Sequence, residues 1–254
     1  MVSKIALSDV SKVYPSSKGR TATAVEHINL EVSAEDFMCI VGTSGCGKST
    51  LLYLIAGLSF PSSGSVTVER QPVTGPSAQT GMVFQADAVF PWLTVRRNVQ
   101  FGPEMRHLPN DECERIAQRY IELVGLEGSE ELLPRQLSGG MRKRVDVARA
   151  FANNPDILLM DEPFGALDAM TKERLQIELL HIWEKERKTV LFVTHDLEEA
   201  LILSKRIVVM SRAPNTIQTI IDVPFGHPRD MLLKTTPEFQ ELRRQLWALL
   251  HYQY

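Results

Sequence analysis

The chain has 254 residues, of which 44% are apolar and 23% charged, and its formal net charge is −3 at pH 7. This composition is ordinary for a globular protein, and the slightly acidic balance argues against a general nucleic-acid binder, which needs a basic surface. No apolar run approaches the ~18–20 residues that span a bilayer, and the N-terminal segment lacks the hydrophobic core of a signal peptide. We therefore expect the chain to stay in the cytosol.

Short strand patterns open the chain at residues 5–7, 28–32 and 66–68. Proline, serine and glycine interrupt them at residues 15–20 and indicate a solvent-exposed loop. Longer continuous apolar runs predict strands that are buried on both faces of a parallel sheet. These runs span residues 37–41, 157–160, 190–193 and 207–210. Helical patterns lie between them, as a layered α/β fold requires.

A phosphate-binding pattern of the form Gly-x4-Gly-Lys-Ser follows the first long apolar run. Its residues are Gly42, Thr43, Ser44, Gly45, Cys46, Gly47, Lys48 and Ser49, with Thr50 next in the chain. The backbone N–H groups of such a loop turn toward phosphates, Lys48 can reach the β- and γ-phosphates of ATP, and Ser49 can ligate Mg²⁺. The helix that follows points its N-terminus at the same anion. Alone, the pattern indicates only a nucleoside triphosphatase.

The three cysteines, Cys39, Cys46 and Cys113, lack the spacing of a metal site, and their odd number argues against a disulfide framework. Cys46 has two interpretations because it lies inside the phosphate loop. It is a small residue that fits a tight loop, which we favour, or a redox-sensitive thiol whose modification would block ATP.

Two helical regions follow. Residues 87–152 carry helical periodicity, with Ile116 and Tyr120 on one face. In the tail, Thr236 as a cap and Pro237 in the first turn predict the start of a helix. Its apolar stripe contains Phe239, Leu242, Leu246 and Leu249 or Leu250. We expect this stripe to pack on the core rather than to bind a partner.

Short motifs around the phosphate loop follow one another in a fixed order. They centre on Tyr14, Gln85, the Leu137-Ser138-Gly139-Gly140 run, the Asp161-Glu162 pair, Asp168 in Gly165-Ala166-Leu167-Asp168, and His195 in Thr194-His195-Asp196. Over residues 4–225 they resemble the motifs of the ATP-binding cassette (ABC) ATPases. The resemblance implies an α/β fold, with a P-loop NTPase core around a parallel sheet, an N-terminal antiparallel β subdomain and an inserted helical subdomain.

The same resemblance implies one ABC nucleotide-binding domain over residues 1–254. It assigns residues 1–86 and 153–225 to the nucleotide-binding core with its β subdomain, and residues 87–152 to the helical subdomain. Residues 226–254 form a C-terminal helical tail.

The resemblance also suggests the catalytic and metal-binding residues. Asp161 closes an apolar strand, where its carboxylate, with Ser49, would hold Mg²⁺ at the carboxyl edge of the sheet. Glu162 would be the general base that activates water, and His195 would bind the γ-phosphate and orient Glu162. Gln85 would contact Mg²⁺ or its water and link the nucleotide to the helical subdomain. The alternatives are a helix cap for Asp161, a surface glutamate for Glu162 and a core histidine for His195.

Binding of ATP would be completed by Tyr14 and by a second subunit. The ring of Tyr14 would stack on adenine, or it is an ordinary aromatic residue at a strand end. In the family, the Ser138-Gly139-Gly140 run completes the site of the opposing subunit, since small residues and a helix N-terminus allow close approach to phosphate. This implies a head-to-tail homodimer that sandwiches two ATP molecules, with Asp168 at the interface.

The signature helix departs from the family at two positions. Met141 stands where Gln is often found, although Met also occurs there among relatives. Lys143 replaces another frequent Gln, and we expect it to alter the charge of the interface.

Residues 81–95, 164–168 and 224–230 resemble the nitrate/sulfonate/taurine import subfamily. The resemblance implies the ATPase subunit of an importer for a small anionic or zwitterionic solute, peripheral at the cytoplasmic face of the inner (plasma) membrane. Separate transmembrane permease subunits would be direct partners, and a periplasmic or lipid-anchored solute-binding protein an indirect one. Import of pyrimidine or vitamin precursors remains open for the substrate.

An apolar cluster at residues 89–93, which includes Phe90 and Trp92, follows Gln85 closely. Exposed aromatic residues are common anchors of interfaces. We therefore expect the permease to dock in a groove lined by residues 86–105. The alternative is that both rings fill the core of the helical subdomain.

Two rival functions have little support in the sequence. A soluble ABC ATPase that acts on ribosomes or DNA usually carries two cassettes or a long coiled coil. This chain has one phosphate loop and no sustained heptads between Lys48 and Ser138. A catalytically dead regulatory cassette would not need Lys48, Asp161, Glu162 and His195, and no nucleic-acid partner is expected.

Overall fold

The computed structural model describes residues 3–15, 21–211 and 216–251. The strands are β1 (Ser3–Pro15), β2 (Thr21–Ser33), β3 (Phe37–Gly42), β4 (Ser63–Val68), β5 (Gln71–Pro72), β6 (Thr80–Val83), β7 (Ile157–Asp161), β8 (Thr189–Val193), β9 (Arg206–Met210) and β10 (Ile217–Asp222). The helices are α1 (Lys48–Ile55), α2 (Val95–Met105), α3 (Asn110–Leu123), α4 (Gly139–Ala152), α5 (Ala169–Glu186), α6 (Leu197–Leu203) and α7 (Pro237–His251). Short 3₁₀ turns occur at Pro134–Gln136 and Met231–Thr235. No helix within the described ranges has the length and apolarity to cross a bilayer.

The chain forms two compact units, Met1–Ser77 with Leu180–Tyr254, and Ala78–Leu179. The first unit contains an antiparallel sheet of order β2-β1-β4-β5. It also contains β3, which pairs in parallel with β8 and β9, while β10 adds antiparallel to β9. The strands predicted at the start of the chain are confirmed as β1, β2 and β4. Of the loop predicted at residues 15–20, Pro15 is the last residue of β1, and residues 16–20 lie outside the described residues.

Burial explains why the long apolar runs become central strands. Every residue of β3, β7 and β8 is buried, so these strands need apolar side chains on both faces. By contrast, β2 alternates, with Ile28, Leu30 and Val32 buried and the residues between them exposed. The predicted parallel strands are therefore confirmed.

The second unit joins a parallel strand pair to a group of helices. Strands β6 and β7 pair in parallel, and α2, α3 and α4 pack against one another. The ring centroids of Tyr120 on α3 and Phe151 on α4 lie 6.0 Å apart in their shared core. Helix α2 begins where the Thr94 hydroxyl accepts a hydrogen bond from the Arg97 N–H at 3.3 Å. The helical periodicity predicted for this part of the chain is confirmed.

The tail helix begins as predicted. Its cap is Thr236, whose hydroxyl accepts a hydrogen bond from the Phe239 N–H at 3.4 Å. Phe239 and Leu246 are fully buried, and α7 packs against α6. Arg229 is buried and holds the loop that precedes α7 at the end of α6. Its guanidinium donates hydrogen bonds to the carbonyl oxygens of Leu201, Ile202 and Ser204.

Candidate functional site

The phosphate loop connects β3 to α1 and leaves the start of that helix open to an anion. The cap residue of α1 is Gly47, which has no side chain to bond the first N–H groups, and no acidic residue lies in the first turn. Lys48 is buried, and its ammonium donates to the carbonyl oxygens of Gly42 at 2.8 Å and Thr43 at 3.1 Å. Uncapped N–H groups beside a cation form a suitable cradle for phosphate.

Close packing in this loop explains two of its glycines and its cysteine. Gly47 has φ of 98°, and a Cβ atom there would collide with the Ala24 carbonyl oxygen. A Cβ atom on Gly42 would collide with the Cys46 sulfur. Burial raises the pKa of the Cys46 thiol, which keeps it protonated and unreactive. The structure therefore supports Cys46 as a small packing residue rather than a redox-sensitive one.

The acidic pair lies at the end of β7. Asp161 is the last residue of that strand and is only 1% exposed. Glu162 follows with φ of 46°, a left-handed backbone conformation that is uncommon outside glycine and is found at functional sites. Its carboxylate accepts a long hydrogen bond of 3.4 Å from the Gln85 side-chain amide. The structure thus brings together two of the three predicted catalytic residues.

The signature run begins α4. The Ser138 hydroxyl caps the helix by accepting a hydrogen bond from the Met141 N–H at 3.2 Å. Ser138 and Gly139 are exposed. A Cβ atom on Gly140 would lie 3.6 Å from the Ala166 carbonyl oxygen, so the run adjoins the loop that leads to Asp168. The residues at the helix N-terminus itself, Ser138, Gly139 and Gly140, are small, which allows close approach of another molecule.

Asp168 caps the first turn of α5, where its carboxylate accepts a hydrogen bond from the Thr171 N–H at 3.0 Å. Hydrogen bonds from Thr171 lower the pKa of this carboxyl. Asp168 therefore stays ionised and exposed on the same unit as the signature run.

His195 and Tyr14 belong to the first unit. His195 is exposed in the turn between β8 and α6, which excludes the alternative of a core histidine. The turn is fixed because Asp196 caps α6 and its own N–H donates to the Thr194 hydroxyl at 3.0 Å. Tyr14 lies near the end of β1 with 37% of its surface exposed, and the ammonium of Lys12 is 4.9 Å from its ring centroid.

The expectation that Lys143 alters the charge of an interface is wrong. Lys143 is 2% exposed, and its ammonium donates to the carbonyl oxygens of Phe84 and Gln85, the latter at 3.0 Å. Its neighbours on α4, Arg142, Asp146 and Arg149, were not predicted to have a role. Their spacing of three and four residues, which places them on one helix face, was the available signal.

The comparison with known families decides the identity. The profile of the family described as "ABC transporter" matches residues 25–165. This chain belongs to the ABC transporter family. It is an ABC ATPase, and the predicted membership and ATPase activity are confirmed.

Relatives of this ABC ATPase match it along nearly its whole length. A nitrate import ATP-binding protein of Synechocystis is 44% identical over 96% of this chain and 94% of its own length. An aliphatic sulfonates import ATP-binding protein of Bacillus cereus is 42% identical over 95% of this chain and 94% of its own length. An uncharacterised ABC transporter ATP-binding protein of Methanocaldococcus jannaschii is 47% identical over 97% of this chain and 91% of its own length.

Solved structures confirm the fold. A dimeric, post-hydrolysis ATP-binding cassette bound to ADP and Pi superposes with a TM-score of 0.79 at 30% identity, covering 87% of this chain and all of that one. The predicted fold class, an α/β P-loop NTPase core with an antiparallel β subdomain and inserted helices, is therefore confirmed. The division into subdomains at residues 86, 152 and 225 stays a prediction.

Proposed function

We propose that this ABC ATPase powers the import of a small anionic or zwitterionic solute through separate transmembrane permease subunits. The observation that carries the proposal is its near full-length identity of 42–44% with nitrate and sulfonate import ATP-binding proteins. The subunit would lie at the cytoplasmic face of the inner (plasma) membrane. A periplasmic or lipid-anchored solute-binding protein would deliver the solute to the permease and act on the ATPase only indirectly.

Uptake by a deletion strain tests this proposal. Loss of the gene should abolish uptake of one labelled solute among nitrate, taurine and alkanesulfonates. The wild-type gene should restore uptake, and a Glu162→Gln gene should not. If the deletion strain instead loses uptake of a pyrimidine or a vitamin precursor, the solute belongs to the alternative substrate class. If the strain takes up all of these solutes normally, the result contradicts an import function.

The residues of the first unit would bind ATP. The backbone of residues 42–47 and the Lys48 ammonium would hold the phosphates, with Ser49 and Thr50 in the first turn of α1, and Tyr14 would stack on adenine. Within residues 3–15, 21–211 and 216–251, no three His, Cys, Asp or Glu side chains group as metal ligands. That suits Mg²⁺, which is held by few protein oxygens together with water and phosphate.

Ser49, Asp161 and Gln85 carry oxygen atoms of the kind that Mg²⁺ prefers and would be its ligands, and the ion would neutralise charge on the phosphates. Glu162 would accept a proton from the attacking water, and the Gln85 amide at its carboxylate would help to orient it. His195, on its fixed turn, would contact the γ-phosphate. The exposed signature run, with Asp168 beside it, would close the ATP site of a second copy of the chain.

Removal of the lysine ammonium tests the phosphate site. Lys48→Ala should raise the Kd for ATP by roughly 10–100-fold, because a charge-assisted hydrogen bond to phosphate is lost. A binding titration with a fluorescent ATP analogue measures the effect. Lys4→Ala, which removes a lysine paired with Glu69, is the control and should leave the Kd unchanged. An unaltered affinity in Lys48→Ala would exclude Lys48 from phosphate binding.

An aromatic cluster in the second unit supports the proposed docking of a permease. Trp92 is 71% exposed and its ring lies 5.6 Å from the half-buried ring of Phe90. Exposed Phe101 and Met105 border a cavity of about 360 Å³ on the same unit. The exposure of Trp92 contradicts the alternative that both rings fill the core.

Substitution of the exposed ring tests docking. Trp92→Ala should leave ATP hydrolysis by the isolated subunit unchanged and reduce co-purification with the permease about tenfold or more, as expected for an aromatic interface anchor. Trp247→Ala, which truncates an exposed tryptophan on α7, is the matched control and should assemble normally. Crosslinks from position 92 that never reach a membrane subunit in an active transporter would contradict the docking proposal.

A further inference from the structure

The buried lysine of the signature helix contacts the glutamine segment rather than solvent. Lys143 lies in the second turn of α4, and its ammonium donates to the carbonyl oxygens of Phe84 and Gln85. Both carbonyls belong to the segment that leaves β6. The side chain of that same Gln85 donates to the Glu162 carboxylate at 3.4 Å.

Neighbouring side chains of α4 hold the same segment. Arg142 donates to the Asp87 carboxylate at 2.6 Å. The Asp146 carboxylate accepts from the Ala88 N–H at 2.8 Å, and Arg149 donates to the Ala88 carbonyl oxygen. These three contacts lie two or three residues beyond Gln85, whereas Lys143 binds the backbone of Gln85 itself.

Burial of the Lys143 ammonium between α4 and the segment after β6 costs free energy, because the charge loses its contact with water. Burial lowers the pKa of Lys143, and the nearby carboxylates of Asp146, Asp87 and Asp161 oppose that shift. An apolar side chain of similar length would pack there without the cost of desolvating a charge. What the lysine adds is the pair of hydrogen bonds to the Phe84 and Gln85 carbonyls.

We propose that Lys143 is a positioning residue for ATP hydrolysis, which fixes the backbone at Gln85 and so holds the Gln85 side chain against Glu162. The inference rests on the proposed role of Gln85 in hydrolysis. In the proposed arrangement Lys143 does not touch ATP. Its loss should therefore slow turnover without weakening the binding of ATP.

Two substitutions of equal length isolate the hydrogen bonds. Lys143→Met removes every donor, whereas Lys143→Gln keeps an amide donor on a side chain that is as long as methionine and one bond shorter than lysine. We expect the Met variant to lower kcat roughly tenfold with KM for ATP nearly unchanged, because a misplaced group costs turnover rather than ground-state binding. The Gln variant should recover most of the lost kcat.

A matched control separates positioning from stability. Arg229→Met also removes a buried cation that donates to backbone carbonyls, at the end of α6. It should lower the melting temperature yet leave the kcat of the folded protein unchanged. If Lys143→Met folds and keeps its kcat, or if the Gln variant is as slow as the Met variant, the inference is overturned.

A double-mutant cycle then asks whether Lys143 acts through Gln85. The variants are Gln85→Ala, Lys143→Met and the two combined. If Lys143 works by placing Gln85, the double variant should be no slower than Gln85→Ala alone. Multiplicative losses overturn the inference.

The two failures are distinguishable. If Gln85→Ala hydrolyses ATP at the wild-type rate, the proposed role of Gln85 is wrong and Lys143 cannot act through it. If Lys143→Met does not fold, Lys143→Ala takes its place in the cycle. If neither variant folds, Lys143 is a structural residue and the inference is overturned.

Discussion

Glu162→Gln is expected to leave ATP binding intact and to lower kcat for ATP hydrolysis by roughly 10²–10⁴-fold. The amide keeps the size of the carboxylate but cannot accept a proton from the attacking water. The backbone of Glu162 is already held in an uncommon conformation at the end of β7, so the substitution should change the chemistry and not the fold. Phosphate release measures the rate, and a binding titration measures the affinity.

The same variant should accumulate as an ATP-bound dimer, because ATP that is not hydrolysed continues to bridge the subunits. Size-exclusion chromatography with and without ATP shows this state. Glu241→Gln, a change to an exposed glutamate that pairs with Arg244, is the control and should remain fully active. Turnover close to that of the wild type would remove Glu162 from the role of general base.

Ser138→Arg is expected to block hydrolysis, by ~10²-fold or more, while ATP still binds the phosphate loop. The reason is that exposed Ser138 is proposed to face the γ-phosphate of the opposing subunit, where a large side chain would hold the subunits apart. The backbone donors of the signature run would then be too far from the transition-state charge, and loss of such donors has an effect of this size. Ser138→Ala is the matched control, since it loses the cap of α4 at a cost of about 1 kcal/mol but remains small.

Mixing Ser138→Arg with Lys48→Ala sharpens the test. In a head-to-tail heterodimer both substitutions fall in one ATP site, and the other site has an intact phosphate loop and an intact signature run. Partial recovery of hydrolysis on mixing would support a shared site. Normal hydrolysis by Ser138→Arg alone would show that the sandwich arrangement is wrong.

The central strands could be predicted because burial restricts the types of residue that they can contain. A strand covered on both faces needs apolar residues throughout, and β3 and β8 show this directly. The phosphate loop could be predicted equally well. Gly47 has a positive φ and lies so close to the Ala24 carbonyl oxygen that a side chain would not fit there. Where packing or backbone geometry permits few residue types, the pattern in the sequence is specific.

Long and aromatic side chains were less predictable. Arg142, Lys143 and Arg144 are consecutive cations, yet only Lys143 is buried, because a flexible stem can carry its charge to carbonyls far away in the sequence. Phe90 and Trp92 likewise belong to one apolar cluster but differ in exposure. Such differences in burial depend on contacts between segments that are distant in the sequence, and the periodicity of apolar residues carries no information about these contacts.

The turn that presents Trp92 is held by one buried side chain. Asn98 is fully buried, and its amide donates to the carbonyl oxygens of Phe90, Leu93 and Thr94 at 2.9–3.1 Å and accepts from the Phe90 N–H at 2.8 Å. The backbone around the indole is therefore ordered before any partner arrives. A permease helix that docks here would meet a preorganised shape, so little of its binding free energy would be lost to freezing the loop. Its association would then be limited by encounter and orientation rather than by a conformational search.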